Sequence, residues 1–65
     1  MMTFTLPDMS CGHCVATVTK AIKTLDSTAE VKADLSARTV SVESKAPAGA
    51  ISKAMEQVGY PNRPV

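Results

Sequence analysis

The spacing of the apolar residues changes period along this chain, and the order of the changes leaves few folds open. Thr3-Phe4-Thr5-Leu6 alternates polar and apolar, as a half-buried strand does, and Pro7-Asp8 breaks the run. Val15, Val18, Ile22 and Leu25 then recur at helical spacing, while Thr17, Lys20 and Lys23 lie mostly off that stripe. This predicts a helix over about 12–25, with Ser10 or Cys11 near its N-cap and Asp26-Ser27-Thr28 at its end. Period two returns at Val31, Ala33 and Leu35 and again at Val40 and Val42, with Ser36-Ala37-Arg38 as the hairpin turn between them. Pro47 suits the first turn of a second helix, whose buried stripe is Ile51, Ala54, Met55 and Val58. Gly59 is a good residue to end it, and Pro61 stops any continuation. Asn62-Arg63-Pro64-Val65 has room only for a stub of strand, because Pro64 lacks a ladder donor.

Strand, helix, strand, strand, helix and strand stub make the split βαβ order. The expected fold is α+β, a ferredoxin-like βαββαβ sandwich with one antiparallel sheet and both helices on one face. At 65 residues the chain reads as a single domain over 1–65. A chain this short buries only ~60% of the surface its unfolded form exposes, so it is marginal without a staple or a metal.

The cysteine count limits what that help can be. Two cysteines and one histidine exclude the four-cysteine and the two-Cys, two-His zinc sites within one chain. Seven basic and six acidic side chains nearly balance, and one Tyr, one Phe and no Trp leave little to stack on bases. Nucleic-acid binding is therefore not expected. Met1-Met2-Thr3-Phe4-Thr5-Leu6-Pro7 has neither the basic start nor the apolar run of a signal peptide. No stretch approaches the ~20 apolar residues needed for membrane insertion. The expected compartment is the cytoplasm, where thiols stay reduced and close cysteines point to metal or redox chemistry more than to a staple.

Both cysteines fall in Met9-Ser10-Cys11-Gly12-His13-Cys14, which closes the first loop and opens the first helix. A helix N-terminus carries unpaired N–H groups and a partial positive charge, both of which favour a thiolate. Cysteines so placed have pKa values lowered to roughly 3.5–7.5. Two intervening residues let both sulfurs converge on one ion, one from the loop and one from the helix. Two soft thiolates without a further obligatory ligand suit a d¹⁰ ion content with two or three ligands, and Cu(I) fits best. Zn(II) prefers four, and Asp8 and His13 are the nearest residues to supply them.

The same residues resemble the Met-x-Cys-x-x-Cys signature of the heavy-metal-associated domain family, and the resemblance runs through Val18, Ala21, Ile22, the two central strands and Gly59-Tyr60. It implies the ferredoxin-like fold reached above from periodicity. It implies metal binding by Cys11 and Cys14, a supporting place under the loop for Met9, and a place beside the metal for Tyr60. Family members that favour zinc or cadmium often carry an acidic residue just before the first cysteine. Ser10 stands there, which favours copper. The implied function is that of a bacterial cytoplasmic copper chaperone, not an enzyme, which delivers Cu(I) to a copper-transporting P-type ATPase or its metal-binding domain by thiolate exchange.

Plainer readings compete at each position. His13 is either a third ligand, one that links two molecules in a metal-bridged homodimer, or a solvent-facing loop residue whose charge tunes the thiolates. Met9 is more simply packing than a ligand, since Met fills irregular gaps. Tyr60 either bonds near the thiolates or only covers the helix end. Lys20, Lys23 and Lys53 are most simply solvated. Cys-Gly-His-Cys is also the active-site tetrapeptide of disulfide isomerases, so a small thiol oxidoreductase is an alternative. That fold needs a longer chain and a different strand order. A regulatory domain of a metal-pumping ATPase is the other alternative, although a start at Met1 without a linker favours a free-standing protein.

Overall fold

The computed structural model describes residues 2–65; Met1, which the reading of the N-terminus included, lies outside them. The elements are β1 (Met2–Thr5), α1 (Gly12–Leu25), β2 (Glu30–Asp34), β3 (Thr39–Glu43), α2 (Ala48–Gln57) and β4 (Arg63–Pro64). The sheet runs β2-β3-β1-β4 and every pairing is antiparallel. This is the expected ferredoxin-like order, and it is not the thioredoxin type that the oxidoreductase reading requires.

Register explains why one face of the sheet is buried. Phe4 pairs with Val40 and Met2 with Val42, while Val31 and Ala33 extend the same two rows onto β2. Directly opposed residues share a face, so these apolar side chains all point toward the helices. The other face carries Thr3 opposite Ser41, whose hydroxyls lie 3.2 Å apart, and Lys32 beyond them. Val18 and Ile22 from α1 and Ile51 and Met55 from α2 close over Phe4, Val40 and Val42, with Leu6, Met9 and Ala29 completing the core. No polar or charged side chain is buried among the described residues.

The apolar stripes overreach at their ends. Leu25 and Val58 are 45% and 41% exposed, against the burial expected of them. Each closes its helix, Leu25 as the last residue of α1 and Val58 as the C-cap of α2, where the sheet no longer lies beneath. They face a shallow groove between the helices that Lys20, Ala21, Ala54 and Gln57 also line. Leu35 belongs to the 35–38 turn and not to β2, and is 41% exposed. Ala33 is exposed because β2 is an edge strand that the helices barely cover. Pro47 is the N-cap of α2, one place before the helical turn expected of it, and its carbonyl accepts from Ala50 and Ile51.

Gly59 ends α2 as expected, at φ +92°, a backbone conformation that costs glycine little. Its N–H donates to the Glu56 carbonyl and that of Tyr60 to Met55, both at 3.0 Å, which is the Schellman pattern.

A carboxylate closes α1 at its other end. Asp26 accepts from the Thr28 N–H and hydroxyl, from the Ser44 hydroxyl at 2.6 Å and from the Lys45 N–H. The Ser44 hydroxyl leads these donors in holding the Asp26 carboxyl well below the usual carboxylate range. Its folded pKa is depressed, so its contribution is present above the unfolded value of ~3.9 and is lost as pH falls below it. Asp26→Asn should therefore lower the thermal midpoint at pH 7. The two proteins should converge in acid, which melting curves across pH 2–7 (about that range) would follow. A constant gap at every pH would refute this account.

Candidate metal centre

The loop between β1 and α1 is held from both sides before it reaches the cysteines. The Leu6 N–H donates to the Arg38 carbonyl at 2.8 Å, and the Arg38 guanidinium donates to the Pro7 carbonyl at 3.0 Å. Arg38 does this from φ +55°, the left-handed region, in the β2–β3 turn. The Met9 N–H then returns to the Leu6 carbonyl, and the Met9 side chain is fully buried in the core. This anchors the loop from below. Ser10, Cys11, Gly12 and His13 remain exposed above it.

Cys11 is the N-cap of α1 in extended conformation, and no side chain caps the helix. Cys14 follows in the first turn, half-buried, with its sulfur 3.1 Å from that of Cys11. Both cysteines are free. No acidic residue occupies the first turn, so the uncapped N–H groups and the helix dipole act on the sulfurs alone.

The Cys14 thiol is lowered from 9.0 to about 7, first by a hydrogen bond from the Tyr60 hydroxyl, then by the Cys11 thiol and by backbone bonds at Ser10 and Cys11, against an opposing effect of burial. The same contact pushes the Tyr60 phenol up. The arrangement favours a thiolate at Cys14 near neutral pH. Tyr60→Phe removes the leading cause, so the Cys14 thiol should move from about 7 toward 9.0. Ultraviolet thiolate absorbance against pH measures this, and an unmoved midpoint would show that the hydroxyl is not its cause.

The structure thus brings Cys11, Cys14 and Tyr60 together and puts Met9 beneath them. It does not bring His13 or Asp8 to the sulfurs. Both are exposed, and among the described residues no three His, Cys, Asp or Glu side chains form a group able to hold an ion. The His13 carbonyl accepts from the Thr17 hydroxyl, an ordinary helical contact. Sequence reasoning missed Arg38, because a charged residue in a hairpin turn reads as solvated and nothing in its spacing reveals a bond to Pro7.

The sequence profile of the Heavy-metal-associated domain matches residues 3–61, well over half of the chain. This chain belongs to the heavy-metal-associated domain family. Several solved structures share the domain. One described as gold binding protein is 42% identical, with a TM-score of 0.96 and all of both chains covered. The copper chaperone Atx1 from Synechocystis PCC6803 is 27% identical, with a TM-score of 0.93, over 97% of this chain and 100% of that one. Oxidized MerP from Ralstonia metallidurans CH34 is 29% identical, with a TM-score of 0.86, over 97% and 92%. No functionally curated protein matches the chain closely enough to count as a relative. The heavy-metal-associated domain therefore accounts for the fold and for a metal-binding character.

Proposed function

We propose that this domain carries Cu(I) between Cys11 and Cys14 and delivers it to a copper-transporting P-type ATPase, or to that pump's metal-binding domain, in the cytoplasm. The observation that carries the reading is a pair of sulfurs 3.1 Å apart at an uncapped helix N-terminus, one of them with a pKa of about 7. Two thiolates suit a soft d¹⁰ ion that accepts two or three ligands. With a metal–sulfur bond of about 2.3 Å, a tetrahedral angle needs sulfurs about 3.8 Å apart and a linear one about 4.6 Å. The pair must open in either case. Cys11 is exposed, and a side chain at Gly12 would meet nothing within 4 Å, so the loop side has room to move.

Transfer follows from the same exposure. A partner thiolate adds to the two-coordinate ion, giving three sulfur ligands, and the domain's sulfurs then leave one at a time. Each step trades one metal–sulfur bond for another, so exchange is fast even when binding is tight. No substrate bond is made or broken. A second copy can supply the extra thiolates instead, which gives a metal-bridged homodimer. Sedimentation should show copper-dependent dimers at high protein concentration.

Gold competes for this site, because the 42% identical neighbour is described as gold binding and two thiolates suit any linear d¹⁰ ion. Competition titrations of the reduced protein with Cu(I), Zn(II) and Au(I) against chelators of known affinity test the assignment. Cu(I) is expected to exceed Zn(II) by several orders of magnitude. Zn(II) binding as tight as Cu(I) would overturn the two-thiolate site. His13→Ala should leave Cu(I) affinity within about tenfold, which is less than a lost ligand costs. Below pH of about 7 the ion must displace a proton from Cys14, so apparent affinity should fall as pH is lowered.

A further inference from the structure

Tyr60 is half-buried and packs against the same core as Cys14, on a segment that no strand holds, since α2 ends at Gln57 and β4 pairs only from Arg63. On one side its position follows from the helix end, where the Tyr60 N–H donates to Met55. On the other side a single side chain does the work. The Asn62 amide donates to the carbonyls of Tyr60, at 3.1 Å, and of Ser52, at 3.0 Å. Its carbonyl oxygen accepts from the Ser52 hydroxyl at 2.6 Å. Asn62 thereby ties the main chain at Tyr60 to the middle of α2, and Ser52 orients the amide that does so. All of these bonds are partly shielded from water.

We propose that Asn62 and Ser52 are positioning residues for the metal site, acting through the main chain of Tyr60 to hold its hydroxyl on Cys14. The inference rests on the reading of Cys11 and Cys14 as the metal-binding pair, and neither Asn62 nor Ser52 touches them. A simple role in fastening the C-terminus makes a different prediction. It would let Asn62 affect stability while leaving Tyr60 and metal exchange as they are.

Two measurements separate these roles. In the metal-free protein, the ring of the only tyrosine should show nuclear Overhauser contacts to the Cys14 β-protons. Asn62→Asp keeps the size and the acceptor for Ser52 but turns both donor bonds into repulsions; Asn62→Ala removes them without repulsion. Both should lose most of that contact, and Ser52→Ala should weaken it. In the copper-loaded protein, the rate of transfer to a Cu(I) chelator should change severalfold in Tyr60→Phe. Asn62→Ala should change it in the same direction, and the double variant no further, because the two act in series. Asp26→Asn, at the far end of α1, is the control for general loosening and should alter neither readout. Preserved ring contacts in folded Asn62 variants, or additive effects in the double variant, would overturn the proposal. If the wild type takes up no copper, the metal assignment fails while the ring contacts still decide the positioning role.

Discussion

Cys11→Ser and Cys14→Ser should each lower Cu(I) affinity by far more than the roughly 10–100-fold that supporting partners of a metal site are worth, and each should stop transfer to a thiolate partner. Serine keeps the size of cysteine but offers a hard, protonated oxygen to a soft ion. Nothing nearby replaces the lost sulfur, since no third His, Cys, Asp or Glu joins the pair among the described residues. The two variants should differ in a second respect. Cys14 is half-buried and bonded to Tyr60, whereas Cys11 is exposed, so Cys14→Ser also disturbs the phenol while Cys11→Ser leaves it in place. Chelator competition with both variants checks the first expectation. Retention of wild-type affinity in either would remove that cysteine from the site.

Met9→Ala should be the most damaging substitution for the fold among residues of the loop. Met9 has no exposed surface and belongs, with Leu6 and Phe4, to the core against which Cys14 packs. Truncating a buried methionine costs about 2–5 kcal/mol in lost burial and residual cavity. A core in a chain this short rarely supplies more than about 3–5 kcal/mol, so much of the population should unfold at ambient temperature. Met9→Leu conserves volume and should cost less than about 1.5 kcal/mol. The pair of variants also separates packing from ligation. If Met9 works by packing, Met9→Leu keeps Cu(I) binding although the thioether is gone. Urea denaturation measures the stability of both variants, and copper titration of Met9→Leu tests the thioether. A large loss of affinity in that variant would make the sulfur a ligand.

Most of the fold was legible because its elements carry contrasting periods. Phe4, Val40 and Val42 at spacing two, and Val18, Ile22, Ile51 and Met55 at helical spacing, are the residues the structure buries. Leu25, Leu35 and Val58 obey the same pattern and are not buried. Period records which side of an element a residue lies on, and it carries no information about where the neighbouring element stops covering it. The turn geometry at Arg38 was hidden for a related reason. A left-handed residue that is neither glycine nor asparagine leaves no mark in composition.

The candidate site divides along the same line. Cys-x-x-Cys spacing, the helix that begins at Gly12 and the shortage of other ligands were local facts, so the sequence by itself determined a sulfur pair suited to a soft ion. Its resemblance to the heavy-metal-associated domain pointed to the same pair, and that family membership is now shown. What only the tertiary structure decided is how the pair is tuned and held. Tyr60 lies 46 positions beyond Cys14 in the chain, counting from 14 to 60, and meets it because the turn at Gly59 and the Asn62–Ser52 bonds return the chain to the loop. The packing place that the sequence favoured for Met9 became a fully buried one when the sheet and both helices closed around it. Ligand type is set by the residues themselves, whereas their protonation and placement depend on groups distant in sequence that folding alone brings within hydrogen-bond reach.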